Sequence, residues 1–178
     1  MGKRKMLAVL YLNNSWEWSG GYGYYLEQAG LGQAPRPNDD GYPAFMNFVA
    51  QYASCEKAHQ LFYDYVKFIL TRTNRYTKKK YKDDPAIMSW QIGNEPRAFS
   101  KEQLPAFEKW LGEASKLIRS LDKNHLISIG SEGKWGCEGE LNCWERICAD
   151  KNVDYCNIHL WPYNWSWARK DHLQEDLG

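Results

Sequence analysis

The sequence predicts an α/β fold built on a parallel sheet. Short apolar runs alternate with helical stretches in the order strand, helix, strand, helix, strand, helix, strand. The apolar runs lack polar alternation, as expected of strands covered on both faces. The chemically distinctive residues gather just after each run, where parallel α/β folds place their ligands.

Residues 5–12, rich in Leu, Val and Tyr, read as the first strand. They run into the polar, glycine-rich loop Asn13-Asn14-Ser15-Trp16-Glu17-Trp18-Ser19-Gly20-Gly21. An irregular stretch to about Cys55 follows, broken by Pro35, Pro37, Gly41 and Pro43. A loop this long is either functional or carries short helices. Residues 58–75 read as a helix, with Leu61, Phe62, Tyr65, Val66, Ile69 and Leu70 on one face. Six basic residues between Arg72 and Lys82 read as its solvated end. Residues 87–93 form a second apolar strand, followed by Asn94-Glu95-Pro96-Arg97. Ser100 with Gln103 resembles a capping box for a helix running to about Leu121, with Phe107, Trp110, Leu111, Ala114, Leu117 and Ile118 at helical spacing. Residues 126–130 are a third strand, ending in Ser131-Glu132-Gly133. A short helix over 141–149 leads to a fourth strand over 153–160, which ends in His159-Leu160-Trp161-Pro162.

The chain has 178 residues, 43% hydrophobic and 25% charged, which suits a single domain, 1–178, with its own core. The net charge of +1 supplies no field for nucleic acid or an anionic membrane, and neither is expected as a partner. No apolar run approaches the roughly 20 residues needed to span a bilayer, and the opening residues do not read as a signal peptide. Aromatic residues make up 15%, with 9 Trp. That suits a site that stacks on flat sugar or base faces, and equally a Trp-rich core. Five cysteines, Cys55, Cys137, Cys143, Cys148 and Cys156, leave at least one thiol without an intrachain partner. Their spacing does not match a zinc motif, so no metal is expected, and they read as buried, inert thiols.

Glu95 is the sharpest candidate. A carboxylate at the C-terminal end of a buried strand sits at a cavity mouth, and desolvation there suits a carboxyl to general acid work. Pro96 biases Glu95 toward an extended backbone. Asn94 can hydrogen-bond a hydroxyl-rich ligand, and Arg97 adds a planar fork of donors. The bland alternative is a Glu95–Arg97 pair in a surface turn. His159 and Trp161, two apart, share a side in an extended strand, and Trp16 and Trp18 repeat that spacing after the first strand. Glu132 closes the third strand. Trp16, Glu95, Glu132, His159 and Trp161 therefore converge on one rim, a joint pattern more specific than any member.

These stretches resemble glycoside hydrolase family 5, in its β-mannanase branch. The matching segments are Leu12 through Gly21; Tyr81-Lys82-Asp83-Asp84-Pro85 through Ser89-Trp90-Gln91-Ile92-Gly93-Asn94-Glu95-Pro96-Arg97; Ser120-Leu121-Asp122 through Glu132-Gly133; and Val153-Asp154-Tyr155-Cys156-Asn157-Ile158-His159-Leu160-Trp161-Pro162. The resemblance implies a (β/α)8 TIM barrel that cleaves internal β-1,4-mannosidic bonds with retention, without cofactor. By the same carry-over, Glu95 is the general acid/base, Asn94 holds the sugar 2-hydroxyl and His159 belongs to the central catalytic cluster. Arg97 and Glu132 contact the leaving-group side, and Trp16, with Trp18 and Trp161, lines the sugar site. Trp161 stands where many members carry Tyr, so a hydroxyl contact to the nucleophile is not expected from it.

The matched strands look like the third to sixth of eight, about four βα units of a partial barrel. A retaining glycosidase needs a second carboxylate about 5 Å from the acid/base, and in this family it ends the seventh strand. Asp176-Leu177-Gly178 are expected in the helix before that strand. On this reading the parent is a secreted or periplasmic mannanase acting on β-mannan, and the piece alone is inactive. The alternatives are a non-catalytic carbohydrate-binding protein and a β-1,4-glucanase of the same family. The open sheet edges also favour self-association.

Overall fold

The computed structural model describes residues 4–164, 166 and 169. Three parallel strands, β1 (Ala8–Tyr11), β2 (Ile87–Gln91) and β3 (Leu126–Ser128), lie in the order β1-β2-β3. Leu10 pairs with Trp90, and Trp90 with Ile127. The ladder outruns the strands: Ile92 and Gly93 donate to the carbonyls of Ser128 and Ile129, at 2.9 and 3.2 Å. The sheet therefore stays in register up to the residues that precede the candidate site.

The 34 residues between Gly21 and Ser54 are mostly helical: α1 (Gly21–Ala29), α2 (Pro37–Asp40), α3 (Tyr42–Val49) and a 3₁₀ turn over Ala50–Ser54. α1 ends at Gly30 in the left-handed region (φ 95°), a conformation open to glycine at little cost. α4 spans Glu56–Thr71 and ends four residues before the sequence expectation. Beyond it the Asn74 side chain accepts from the amides of Tyr76 and Thr77, a local turn that competes with helix. The face α4 buries is Ala58, Phe62, Val66 and Leu70, at strict four-residue spacing, with His59 beside it. Tyr65, expected on that face, is exposed.

α5 (Leu104–Leu121) buries Phe107, Trp110, Leu111, Ala114 and Ile118 against α4 and the sheet. Its N-terminus is not a capping box. The Ser100 hydroxyl donates to Glu102 at 2.6 Å within a 3₁₀ turn, and Pro105 sits in the first turn, where its missing amide leaves no bond unmade. Trp110 is a core residue, edge-on to Tyr22 and Tyr52, which stack on each other at 3.9 Å. α6 (Leu141–Cys148) completes the helical layer.

The expected fourth strand over 153–160 is reduced to one parallel bridge, Ser128 to Tyr155, and a backbone bond from Asp154 to the Ile127 carbonyl at 2.9 Å. Side chains take the ladder positions instead. Asp154 accepts from the Ile127 amide at 2.7 Å, and Asn157 from the Gly130 amide at 3.0 Å. The segment keeps its direction beside β3 without the strand repeat. Cys148 and Cys156 form a disulfide that ties the end of α6 to this segment, so two of the five cysteines are not free thiols as expected. Cys137 and Cys143 are buried thiols, and Cys55 is a third, partly exposed. The helix expected to include Asp176-Leu177-Gly178 lies outside the described residues. Among the described residues no helix is long and apolar enough to cross a membrane.

Candidate active site

The site grows from a polar run at the end of β1 set against the end of β2. Asn13, Asn14 and Ser15 are all buried. The Asn94 amide donates to the Asn13 carbonyl at 2.8 Å, and Asn14 bridges to Asn94 in parallel register. These contacts fix the chain on both sides of Glu95. The Glu95 amide donates to the Gly130 carbonyl at 3.0 Å, and the Ser15 hydroxyl donates to the Glu95 carbonyl.

Held at both ends, Glu95 has φ 50°, not the extended backbone expected before Pro96. A non-glycine residue in the left-handed region costs of order 1–3 kcal/mol and persists only where its surroundings over-determine it. Gly130 is where that is achieved. Its φ is +86°, and a Cβ there would lie 1.8 Å from the Gly93 carbonyl oxygen. Only a residue without a side chain lets the end of β3 approach this closely.

The Glu95 carboxylate is 13% exposed and has three side-chain neighbours from two segments. The Trp16 indole donates to Oε2 at 2.7 Å. His159 Nδ1 lies 2.6 Å from Oε1, and the Trp161 indole donates to the same oxygen at 3.4 Å. Trp16 is itself fixed by its amide, which donates to the Asn14 side chain at 3.1 Å, and by edge contacts with Phe99 and Tyr42. Arg97 does not pair with Glu95, as the surface-turn alternative required. It reaches away to Glu132 (3.3 Å) and Glu138 (3.0 Å). Burial pushes the Glu132 carboxyl up from its ordinary range; the Arg97 charge pulls it back, and the Glu95 charge adds to the push.

All eight residues singled out in the sequence, Asn94, Glu95, Arg97, Glu132, His159, Trp16, Trp18 and Trp161, line one cleft of about 610 Å³. Trp18 contributes an exposed face and no bond to Glu95. The cleft also takes Tyr42, Met46 and Asn164, which no motif marked. The fixing roles of Asn14, Ser15 and Gly130 were missed as well, although the polar Asn13-Asn14-Ser15 run directly after an apolar strand was a usable signal. Among the described residues no group of three or more His, Cys, Asp or Glu is placed to hold a metal.

A carboxylate just past the C-terminal ends of parallel strands stands where (β/α)8 barrels place their active sites. The family model for glycoside hydrolase family 5, β-mannosidase-like, matches residues 1–178, and the chain belongs to that family. It is 32% identical to mannan endo-1,4-β-mannosidase 4 of Solanum lycopersicum over 88% of this chain and 39% of that protein. Its fold superposes on the family 5 mannosidase of Rhizomucor miehei with a TM-score of 0.80 at 33% identity, covering 94% of this chain and 39% of that one. A mutant of that mannosidase was solved in complex with mannosyl-fructose. The endo-1,4-β-mannanase of the same fungus superposes at 0.76 with 26% identity, over 96% of this chain and 48% of that one. The chain thus spans about two fifths of the length of these relatives and forms part of a (β/α)8 barrel.

Proposed function

We propose that this chain supplies the acid/base half of a retaining endo-β-1,4-mannanase site. The observation that carries the reading is the Glu95 carboxylate, held at the cleft by Trp16, His159 and Trp161. In this role Glu95 protonates the departing glycosidic oxygen and then takes a proton from the incoming water. Asn94 presents its amide to a sugar 2-hydroxyl beside it. Trp16 and Trp161 offer apolar faces to the sugar rings, and the Arg97–Glu132–Glu138 cluster faces the leaving-group side. The mannose class is supported by the mannan-degrading names of the relatives and by the mannosyl-fructose complex.

The second carboxylate, the nucleophile, belongs to a strand other than the ones seen here, so the chain alone binds mannooligosaccharides without cleaving them. On this proposal the parent enzyme works in a secreted or periplasmic setting, and the Cys148–Cys156 disulfide is in keeping with an oxidising compartment. The test is calorimetry with mannohexaose and cellohexaose beside a galactomannan hydrolysis assay. Mannohexaose binding that weakens in Glu95→Gln, with no hydrolysis, is expected. Equal or tighter cellohexaose binding would move the substrate to β-glucan. Turnover abolished in Glu95→Gln would overturn the half-site reading, and absence of any binding would overturn the sugar reading.

A further inference from the structure

The wall of the cleft formed by Arg97 and Glu132 is joined to a short helix, and the cysteines at that helix are placed to brace it twice. α6 is bonded at Cys148 to Cys156, three residues before His159. One turn and a half earlier on α6, Cys143 lies with its Sγ 2.8 Å from the Sγ of Cys137. That is within about 0.8 Å of a disulfide bond of roughly 2.05 Å. Both residues are 1% exposed. Cys137 closes the 3₁₀ turn Gly133–Cys137, which begins directly after Glu132 and leads directly into Glu138. Those are the two carboxylates that hold Arg97.

We propose that Cys137 and Cys143 are a second disulfide site, a covalent brace for the loop that positions Arg97. Closing it makes α6 a strut bonded at both ends: through Cys143 to the Glu132–Glu138 loop, and through Cys148 to the segment bearing His159 and Trp161. The step balances as thiol–disulfide exchange with a low-molecular-weight disulfide such as oxidised glutathione. One thiolate attacks the reagent and expels a glutathione thiolate; the second attacks the mixed disulfide and expels another. The two cysteine sulfurs lose two electrons and two protons, and the glutathione disulfide is reduced to two thiols. The native pair is buried, and its mutual contact first, then burial, holds the Cys143 thiol far above the ordinary thiol range, so thiolate is scarce in the folded state. The bond therefore closes during folding or local opening, as a structural brace and not as a fast switch.

The reading is independent of the substrate, so its failure leaves the mannanase proposal standing. The whole chain is refolded in a glutathione redox buffer, quenched with acid and counted for thiols in denaturant, with peptide mapping of the bridges. The expected result is one reactive thiol, Cys55, with Cys137–Cys143 and Cys148–Cys156 peptides recovered. Three thiols, or a glutathione adduct persisting on Cys137 or Cys143, would overturn it. Cys143→Ser under the same conditions should leave two thiols, Cys55 and Cys137. A count of zero in that variant, with a Cys55–Cys137 peptide recovered, would show that Cys137 has another partner within reach and would also overturn it.

Discussion

Replacing Asp122 by Asn tests how the sheet is locked to the helix that follows it. Asp122 has a fully buried side chain in the turn between α5 and β3. Its Oδ2 accepts from the Trp90 indole at 2.6 Å and lies 2.7 Å from His125 Nδ1. Its Oδ1 accepts from the amides of Asn124 and His125 at 2.8 and 3.1 Å. An Asn keeps the Oδ1 bonds but turns an NH2 group toward the two donors. His125 can adapt, because its other nitrogen lies 3.0 Å from the Asp84 carbonyl and can carry the proton. Trp90, 1% exposed on β2, cannot adapt and is left with an unpaired N–H. An orphaned buried donor costs about 1–3 kcal/mol, and losing the charge assistance on the remaining bond brings the total to about 2–4 kcal/mol. With a urea m-value near 2 kcal/mol/M, the unfolding midpoint should fall by about 1–2 M at unchanged slope. A fall of less than about 0.3 M in fluorescence-monitored denaturation at pH 7 would refute this account. The pH dependence adds a second check. Burial pushes the Asp122 carboxyl up, but the bonds from Trp90, His125 and the two amides outweigh it and hold it below its ordinary range. A depressed carboxyl stabilises above its unfolded pKa of about 3.9, and that contribution is lost as pH falls through the folded value. The gap between the parent and Asp122→Asn should therefore narrow on acidification below about pH 4.

Arg97→Ala should strand the buried Glu132 and its neighbour Glu138 without their cation, costing about 3 kcal/mol at pH 7 in urea denaturation, with part of the loss recovered in an Arg97→Ala/Glu132→Gln double variant. Gly130→Ala places a methyl against the Gly93 carbonyl at a left-handed φ and should cost about 3 kcal/mol; a thermal midpoint within 2 °C of the parent, roughly 1 kcal/mol or less, would show that the strand ends can separate without penalty. Apolar side chains stand exposed on β1 (Val9, Tyr11) and on the far side (Ile158, Leu160), so the chain should self-associate at micromolar concentration, and a strictly monomeric species in light scattering would count against it.

The sheet and both long helices were legible because their apolar spacing survives in the chain. The run 87–93 and the pattern at Phe107, Trp110, Leu111, Ala114 and Ile118 are direct imprints of burial. The fourth strand was misread because periodicity reports which residues are apolar, not which groups complete the ladder, and here the Asp154 and Asn157 side chains do. The capping box failed similarly: Ser100 and Gln103 have the right spacing, but Glu102 competes for the hydroxyl. At the site, the side chains that meet were legible as a set, since each falls within or just after an apolar run, whether or not that run forms a full strand. The backbone at Glu95 was not. Pro96 argued for an extended residue on local grounds, and the two anchors that override it come from Ser15 and Gly130, 80 and 35 positions away in the sequence.

That override bears on how part of a barrel can hold the proposed acid/base carboxylate in place. Parallel strands in a barrel bond only to their neighbours, so the geometry of a residue at one strand end depends chiefly on the strands beside it. Glu95 follows β2, and both neighbours of β2 are present. β1 supplies Asn13, Ser15 and Trp16; β3 supplies the Gly130 carbonyl. The two remaining partners, His159 and Trp161, are carried by a segment tied to α6 through Cys148–Cys156. Among the described residues, the backbone anchors of Glu95 come from the segments after β1 and β3, and its remaining side-chain partners from the segment one position further out, beside β3. The second carboxylate of a retaining pair must instead cross the barrel mouth to stand about 5 Å away, and its placement depends on closure of the whole ring. Orienting the Glu95 carboxylate and bringing a second carboxylate within reach of it are thus separable physical requirements, and the contacts around Glu95 bear only on the first.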